Sequence, residues 1–351
     1  MRRGRHAEAL ESLEALRRAR PKDPDVLGAL ARAYDGAGQP EAALPLYVDV
    51  LRQRPDDASA ALRAAELLLG KGEAALATGV AAAALKSHPN DAALHAVHAQ
   101  ALLARGRVPQ ALAAAREATR LAPDAPEGWM QLARAQTLNG EPVQAMVSLG
   151  KLLKVDANHV AALTLLARLQ LERGHPAMAA TSMRRAARIA PDDIRVLNLY
   201  AACLDAAGER PEAVEVLERA IALAPRLVLL RRNLAEILLG DGRVEAAFDE
   251  AARAVDMARA QANQDKSRDE ARIAAEETLA RVLVARALLN AACRGERDTE
   301  AVKKQLDGDL ERAHLVLTEA SRDALAGDVR DAVVRGLRRC RPTATTGEKH
   351  P

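Results

Sequence analysis

Apolar residues recur three and four positions apart in short segments, and a glycine or a proline follows each segment. Leu197, Tyr200 and Ala201 mark one such segment, and Ala213 and Leu217 mark the next. Spacings of three and four place side chains on one face of an α-helix. The pattern therefore predicts a succession of short amphipathic helices.

These helices repeat with a constant period of 34 residues. Glycine occurs at positions 4, 38, 72, 106, 140, 174, 208 and 242, and an alanine follows each glycine by five residues. Another alanine precedes each glycine from Gly38 onward by seven residues, and proline follows by seventeen residues in six of the eight registers. Offsets this regular predict one helix–turn–helix unit stacked many times.

Each column of the repeat has a physical reason. Glycine ends the first helix, because a left-handed residue without a Cβ costs little there. The later proline ends the second helix, since proline cannot continue it. We expect the paired alanines to lie where the two helices of a unit approach most closely. No unit can bury its apolar face alone, so the units must stack.

These columns resemble the signature of the tetratricopeptide repeat family. The unit that starts at Pro24 carries Leu27, Leu30, Ala31, Ala43, Tyr47 and Pro55 at family positions, and a later unit carries Trp129, Leu132, Ala133, Ala145 and Leu149. Position 27 departs from the signature at Val50 and Leu152. The resemblance covers about residues 5–261. It implies an all-α fold, a right-handed α–α superhelix, which we expect to end in a C-terminal helical cap.

The period also predicts how the chain is divided. Residues 1–23 form a half repeat with only the second helix, and residues 24–261 form seven repeats, which begin at 24, 58, 92, 126, 160, 194 and 228. Residues 262–341 are expected to cap the array, and residues 342–351 to be a disordered tail. The half repeat has three explanations: a truncated chain, a misassigned start codon or a capping role. We favour truncation.

Charge and aromatic content bear on the kind of partner. The net charge is +3, and residues 321–351 carry all of it, with seven basic and four acidic residues, so the other 320 residues balance at 44 against 44. Aromatic residues make up 1% of the chain. A neutral array without aromatic platforms argues against nucleic acid as a partner. The basic run from Arg335 to Arg341 either touches phosphate or anionic lipid, or simply solubilises a helix end.

Candidate chemistry is sparse. His95 and His98 are three residues apart, but they occupy the bulky packing positions 4 and 7, so we interpret them as structural filler rather than metal ligands. The sequence contains no phosphate-binding, hydrolase or metalloprotease signature. We therefore predict no enzyme activity, no cofactor and no metal site. Three widely spaced cysteines are read as free thiols, which favours the cytoplasm, or the periplasm if a native N-terminus is missing.

The resemblance implies a binding scaffold that holds a partner peptide or helix in a concave groove. In the family this groove is lined by repeat positions 2, 5, 6, 9 and 12. Here these positions include Arg63, Glu66, Gln100, Gln131, Arg134, Thr137, Arg168, Asn198, Asn233 and Glu236. Stacked Arg134 and Arg168 would bind a carboxylate or a peptide main chain, or would merely solvate the inner surface.

The sequence is also compatible with two other functions. The chain could be an accessory region of a larger machine, such as a glycosyltransferase, a polysaccharide-export system or a secretion system, rather than a free scaffold. RNA binding is a less favoured alternative. The family's carboxylate clamp for chaperone C-termini is not present in this sequence, which argues against chaperone binding.

Overall fold

The computed structural model describes residues 2–262, and in that part of the chain all regular structure is α-helical. The helices are α1 (Arg2–Ala19), α2 (Pro24–Gly36), α3 (Pro40–Gln53), α4 (Ala58–Gly70), α5 (Ala74–Ser87), α6 (Ala92–Ala104), α7 (Val108–Leu121), α8 (Pro126–Leu138), α9 (Pro142–Val155), α10 (Val160–Glu172), α11 (Pro176–Ile189), α12 (Ile194–Ala206), α13 (Arg210–Leu223), α14 (Val228–Gly240) and α15 (Val244–Ala262). The expected cap and tail lie outside the described residues, apart from residue 262.

The helices alternate between two lengths. From α2 to α13, the first helix of each unit has 13 residues and the second has 14. Each first helix packs antiparallel to the second helix that follows it, as short connections require. The described part of the chain divides into two compact units, with the boundary between residues 169 and 170.

The alanine columns are buried in the core of each helix pair. All of the column alanines from Ala31 onward have 0% exposure: Ala31, Ala43, Ala65, Ala77, Ala99, Ala111, Ala133, Ala145, Ala167, Ala179, Ala201, Ala213, Ala235 and Ala247. Fully buried leucines such as Leu149 and Leu217 fill the wider spaces beside them. Complete burial of these alanines agrees with the prediction that they lie at close helix contacts.

The turn at Gly140 shows how the first helix ends. Gly140 has a φ of +76°, in the left-handed region. The N–H of Glu141 donates to the carbonyl of Gln136 at 2.8 Å, which satisfies one of the last carbonyl groups of α8. This is the Schellman arrangement, in which the residue after the left-handed position bonds back across the turn. Glycine is favoured at 140 because any Cβ would strain this backbone.

Two alanine substitutions in this repeat are therefore expected to act in opposite directions. Gly140→Ala should lower the free energy of unfolding by about 1 kcal/mol, because the Cβ of alanine is strained in the left-handed conformation. Gly150→Ala should raise it by about 0.5–1 kcal/mol, because Gly150 lies inside α9. A Cβ at Gly150 meets no atom within 4 Å. Urea denaturation of both variants measures the two signs, and equal effects would contradict the assignment of Gly140 to a strained turn.

Polar side chains reinforce the helix ends and pairs. Asp57 and Asp91 cap α4 and α6, where each carboxylate accepts a backbone N–H, at 2.9 and 3.0 Å. The buried hydroxyl of Ser148 donates to Gln136 Oε1 at 2.7 Å and thereby joins α9 to α8. The same bond recurs one repeat later between Ser182 and Gln170, at 2.9 Å. Because a buried polar group must be paired, these bonds fix the two helices relative to each other.

Candidate functional site

Three consecutive first helices, α4, α6 and α8, form an open groove in the first unit, and Leu165 of α10 borders its end. We call it the A-helix groove. Its volume is about 700 Å³, within the range of ligand-binding clefts. It is lined by Glu66, Leu69, Gly70, Gln100, Leu103, Ala104, Gln131, Arg134, Thr137, Leu138 and Leu165. Five of the ten residues predicted for the concave surface therefore lie together: Glu66, Gln100, Gln131, Arg134 and Thr137.

A smaller cavity extends this groove toward the N-terminal ends of α6 and α8. It has a volume of about 240 Å³ and shares Glu66, Gln100 and Gln131 with the first cavity. Its other walls are mostly alanine, from Ala92 and Ala96 to Ala125. The two cavities together follow α6 along its length. A 13-residue helix is about 20 Å long, so the groove accommodates roughly six residues of extended chain.

Gln131 is the most buried polar side chain of the groove. It is 7% exposed, and its Oε1 accepts no hydrogen bond from any described residue. A buried carbonyl oxygen without a donor costs about 1–3 kcal/mol. An N–H group from a ligand would therefore find a strong acceptor at this position.

Arg134 supplies an uncompensated positive charge to the same groove. It is exposed, and within the described part of the chain its guanidinium has neither an ion pair nor a hydrogen bond. Partial loss of water inside the groove lowers the pKa of Arg134 from its usual value. Desolvation disfavours the charged form of an arginine that has no partner. A ligand carboxylate would stabilise the charge of Arg134 and would not have to displace another acidic side chain.

Arg63 is engaged with other side chains. Its Nε donates to Asp35 Oδ2 at 2.8 Å, and its Nη1 bonds to Glu66. These bonds raise the pKa of Arg63, with the Asp35 hydrogen bond as the main cause. Arg63 does not line the cavity, and its partner Asp35 was not anticipated from the sequence. The charge of Glu66 is likewise compensated by Arg63.

The remaining predicted residues of the first unit make smaller contributions. Thr137 turns its hydroxyl back to its own helix, donating to the carbonyl of Ala133 at 2.9 Å. Arg168 holds the same repeat position as Arg134 but lies exposed on α10, outside the groove lining. Of these two arginines, Arg134 alone is part of the groove lining.

The predicted residues of the second unit form a separate polar row. Asn233 Nδ2 donates to Asn198 Oδ1 at 2.7 Å, which joins α14 to α12. Arg232 donates to Asn233 Oδ1 at 3.2 Å. Glu236 lies exposed on α14. Because the two amides bond to each other, their capacity to bind a peptide is already partly used.

Apolar side chains in the A-helix groove were missed by the sequence reasoning. Leu69 and Leu103 share repeat position 12 with Thr137, and Leu138 follows at position 13. Leu138 has 63% of its surface exposed, which is the highest value for a large apolar residue in the described part of the chain. The sequence could have identified these residues, since leucines at groove-lining positions indicate an exposed apolar surface of the kind that binds a partner.

Other chemistry is limited in the described residues. No group of three or more His, Cys, Asp or Glu side chains is placed to hold a metal ion there. Cys203 is a free thiol at 0% exposure, and burial raises its pKa to about 12. Its thiol therefore stays protonated and unreactive. Within residues 2–262 no helix combines the length and apolarity that a membrane span needs.

Comparison with known families agrees with this architecture. A tetratricopeptide repeat profile matches residues 1–44, 36–101, 102–169 and 137–203, and a second tetratricopeptide repeat profile matches residues 204–265. The chain belongs to the tetratricopeptide repeat family. Proteins of this family are in general scaffolds for protein or peptide partners, and membership supports that general role here.

Several solved structures are similar to this chain. PilF of Pseudomonas aeruginosa is 21% identical, with a TM-score of 0.50 over 57% of this chain and 92% of its own. TTC0263 of Thermus thermophilus is 24% identical, with a TM-score of 0.46 over 52% of this chain and 99% of its own. YrrB, described as a tetratricopeptide repeat protein with an unusual peptide-binding site, is 18% identical, with a TM-score of 0.46 over 50% of this chain and 91% of its own. Among curated proteins, no significant match was found.

Proposed function

We propose that the chain is a binding scaffold whose A-helix groove holds an extended peptide from a partner protein. The observation that carries this proposal is that two unsatisfied groups line the same groove. Arg134 is a cation without a partner among the described residues, and the buried Oε1 of Gln131 lacks a hydrogen-bond donor. A peptide offers both missing groups, since its main chain has N–H donors and its acidic side chains have carboxylates.

The apolar lining defines the rest of the ligand. Leu69, Leu103 and Leu138 border the part of the groove that contains Arg134. The opposite end is walled by alanines, so bulky ligand side chains fit better on the leucine side. The preferred peptide therefore combines an acidic residue with neighbouring large apolar residues. Burial of the leucines supplies affinity, while Arg134 and Gln131 set the position.

RNA is less well supported as a ligand, because the aromatic side chains are engaged. The indole N–H of Trp129 donates to the carbonyl of Pro123 at 2.8 Å, and the ammonium of Lys151 lies 4.6 Å from the centre of its ring. Tyr47 and Tyr200 are 1% and 4% exposed. Single-stranded nucleic acid needs open aromatic faces for stacking.

Peptide selection on the full chain tests the proposal. A displayed library of random peptides should yield sequences that join Asp or Glu to large apolar residues. Measured by fluorescence polarisation, Arg134→Glu should weaken the selected peptides by at least about tenfold, because a charge-assisted bond becomes a repulsion. Arg168→Glu is the matched control, with the same charge change at the same repeat position outside the groove, and should alter affinity by about twofold or less.

Two results would reject the groove as the binding site. One is selection of peptides whose affinity is the same for the parent and for Arg134→Glu. The other is an equal loss in Arg134→Glu and Arg168→Glu, which would indicate a diffuse electrostatic effect. Circular dichroism of both variants establishes that the helices persist, as expected for substitutions of exposed side chains.

A further inference from the structure

A second cavity lies on the other face of α6. It has a volume of about 670 Å³ and is walled by the second helices α5 and α7. Gln100 and Leu103 of α6 face the A-helix groove, whereas His95, His98 and Leu102 line this cavity. At 100° per residue these two sets project to opposite sides of the helix. We call this the B-helix cavity, and no part of the proposed peptide site overlaps it.

His95 and His98, interpreted above as structural filler at packing positions 4 and 7, are part-buried and line the B-helix cavity. Small neighbours leave space above the two rings, since Thr78, Ala113 and Ala114 stand on the flanking helices. His95 is held in place by Nε2, which lies 2.9 Å from the carbonyl of Pro89 and donates to it. His98 has no hydrogen-bond partner in the described residues.

The charged side chains of the cavity are unevenly compensated. Arg105 and Arg107 line it from the turn between α6 and α7, and the described residues offer neither guanidinium a partner. The one carboxylate of the lining, Glu117, accepts hydrogen bonds from Arg120 at 3.0 and 3.1 Å. Two free positive charges therefore face a cavity in which the negative charge is already neutralised.

From these observations we propose that the B-helix cavity binds a small organic anion, whose phosphate or carboxylate group pairs with Arg105 and Arg107 while its apolar body packs on Leu85 and Leu102. Guanidinium groups bind such oxyanions through two parallel N–H bonds. Gln110 adds an amide donor at the rim. The volume suits a compact ligand with an apolar part rather than a bare inorganic ion.

His98 makes this binding depend on pH. Burial, and then the charge of His95, lower the pKa of His98 below its usual 6.5, so its ring is neutral at pH 7.5. The groups that face it from the surrounding elements are His95, Arg105, Arg107 and Glu117. A bound anion favours the protonated ring and raises its pKa. The protonated ring of His98 binds an anion more tightly than the neutral ring does. Affinity for an anion of constant charge must therefore increase as the pH falls from about 7.5 and His98 becomes protonated.

Isothermal titration calorimetry of the full chain tests the cavity with phenyl phosphate, benzoate and the uncharged benzyl alcohol. At about pH 7.5 both anions should bind one site, and benzyl alcohol should bind at least about tenfold more weakly. The double variant Arg105→Gln/Arg107→Gln should lose at least about tenfold in anion affinity. Arg116→Gln removes one charge from an exposed position of α7 outside the cavity and should leave affinity within about twofold.

The pH dependence provides an independent readout. Benzoate stays ionised between about pH 7.5 and pH 5.5, so tighter binding at the lower pH reports the protein. His98→Gln should remove this increase while keeping the requirement for Arg105 and Arg107. The proposal is overturned if neither anion binds, if the double variant binds both anions like the parent, or if benzyl alcohol binds as tightly as they do.

Discussion

Replacing Ala201 by leucine is expected to lower the free energy of unfolding by about 1–3 kcal/mol through overpacking. Ala201 on α12 and Ala213 on α13 are both 0% exposed, and the two helices pack against each other. Three additional carbon atoms cannot be placed there without separating the helices or forcing strained rotamers. Chemical denaturation followed by circular dichroism measures the change.

The adjacent residue offers a matched control. Ala202 lies on the same helix but is exposed. Ala202→Leu adds the same atoms to a solvated surface and should change stability by about 0.5 kcal/mol or less. If Ala201→Leu and Ala202→Leu denature at the same urea concentration, the alanine columns do not lie at crowded contacts, and the packing described for each helix pair is wrong.

Neutralising Glu250 is expected to have a comparable or larger effect in the second unit. Glu250 Oε2 lies 2.7 Å from Arg231 Nη1, and Oε1 accepts a bond from Arg253. The side chains of Arg231 and Glu250 are 19% and 13% exposed. Glu250→Gln leaves the charge of Arg231 largely buried without its partner, which should destabilise the protein by about 2–4 kcal/mol.

Arg253→Gln separates burial from charge. It also removes an ion pair with Glu250, but Arg253 is 61% exposed. Solvent screens an exposed pair, so this variant should lose about 0.5 kcal/mol or less. The effect of Glu250→Gln should persist at high salt, because buried pairs are poorly screened. Equal destabilisation by both variants, or loss of the Glu250 effect in salt, would refute a structural role for burial of this pair.

The repeated architecture could be derived from the sequence because its determinants are local. A left-handed turn favours glycine, as at Gly140, and a close helix contact admits only a small side chain, as at Ala133. Both requirements recur at fixed distances, so eight registers of one chain supply the same information eight times. The Asp caps and the bond between Gln136 and Ser148 were missed because they occur in only some of the repeats.

The groove was only partly predictable, because partners in adjacent repeats change what a position offers. Position rules identified Gln131 and Arg134 but gave Arg63 equal weight. Arg63 is engaged by Asp35, 28 residues earlier, and this pairing depends on how two first helices lie beside each other. The repeat position of a residue predicts which face of the helix it lies on. Whether its charge is free to bind a ligand depends on the side chains of the neighbouring repeat.

The cavity around His98 illustrates a different limit. The bulky position 7 predicts a core residue, and that prediction assumes that flanking helices close over it. Here three helices contribute side chains to the same volume, and small residues such as Ala114 leave it open. The volume of this cavity depends on the sizes of side chains that lie far apart in sequence. It can therefore be recognised only once the three helices are packed together.

The identical turns that end the first helices have a consequence for how genes of this kind change in length. Left-handed glycines from Gly38 to Gly242 stand at one spacing in the described chain, with φ between 69° and 82°. Recombination between neighbouring repeats that removes or duplicates one whole period restores the same junction, whereas any other indel shifts glycine and alanine out of phase. Stepwise gain and loss of whole repeats is therefore the evolutionary route that this geometry leaves open.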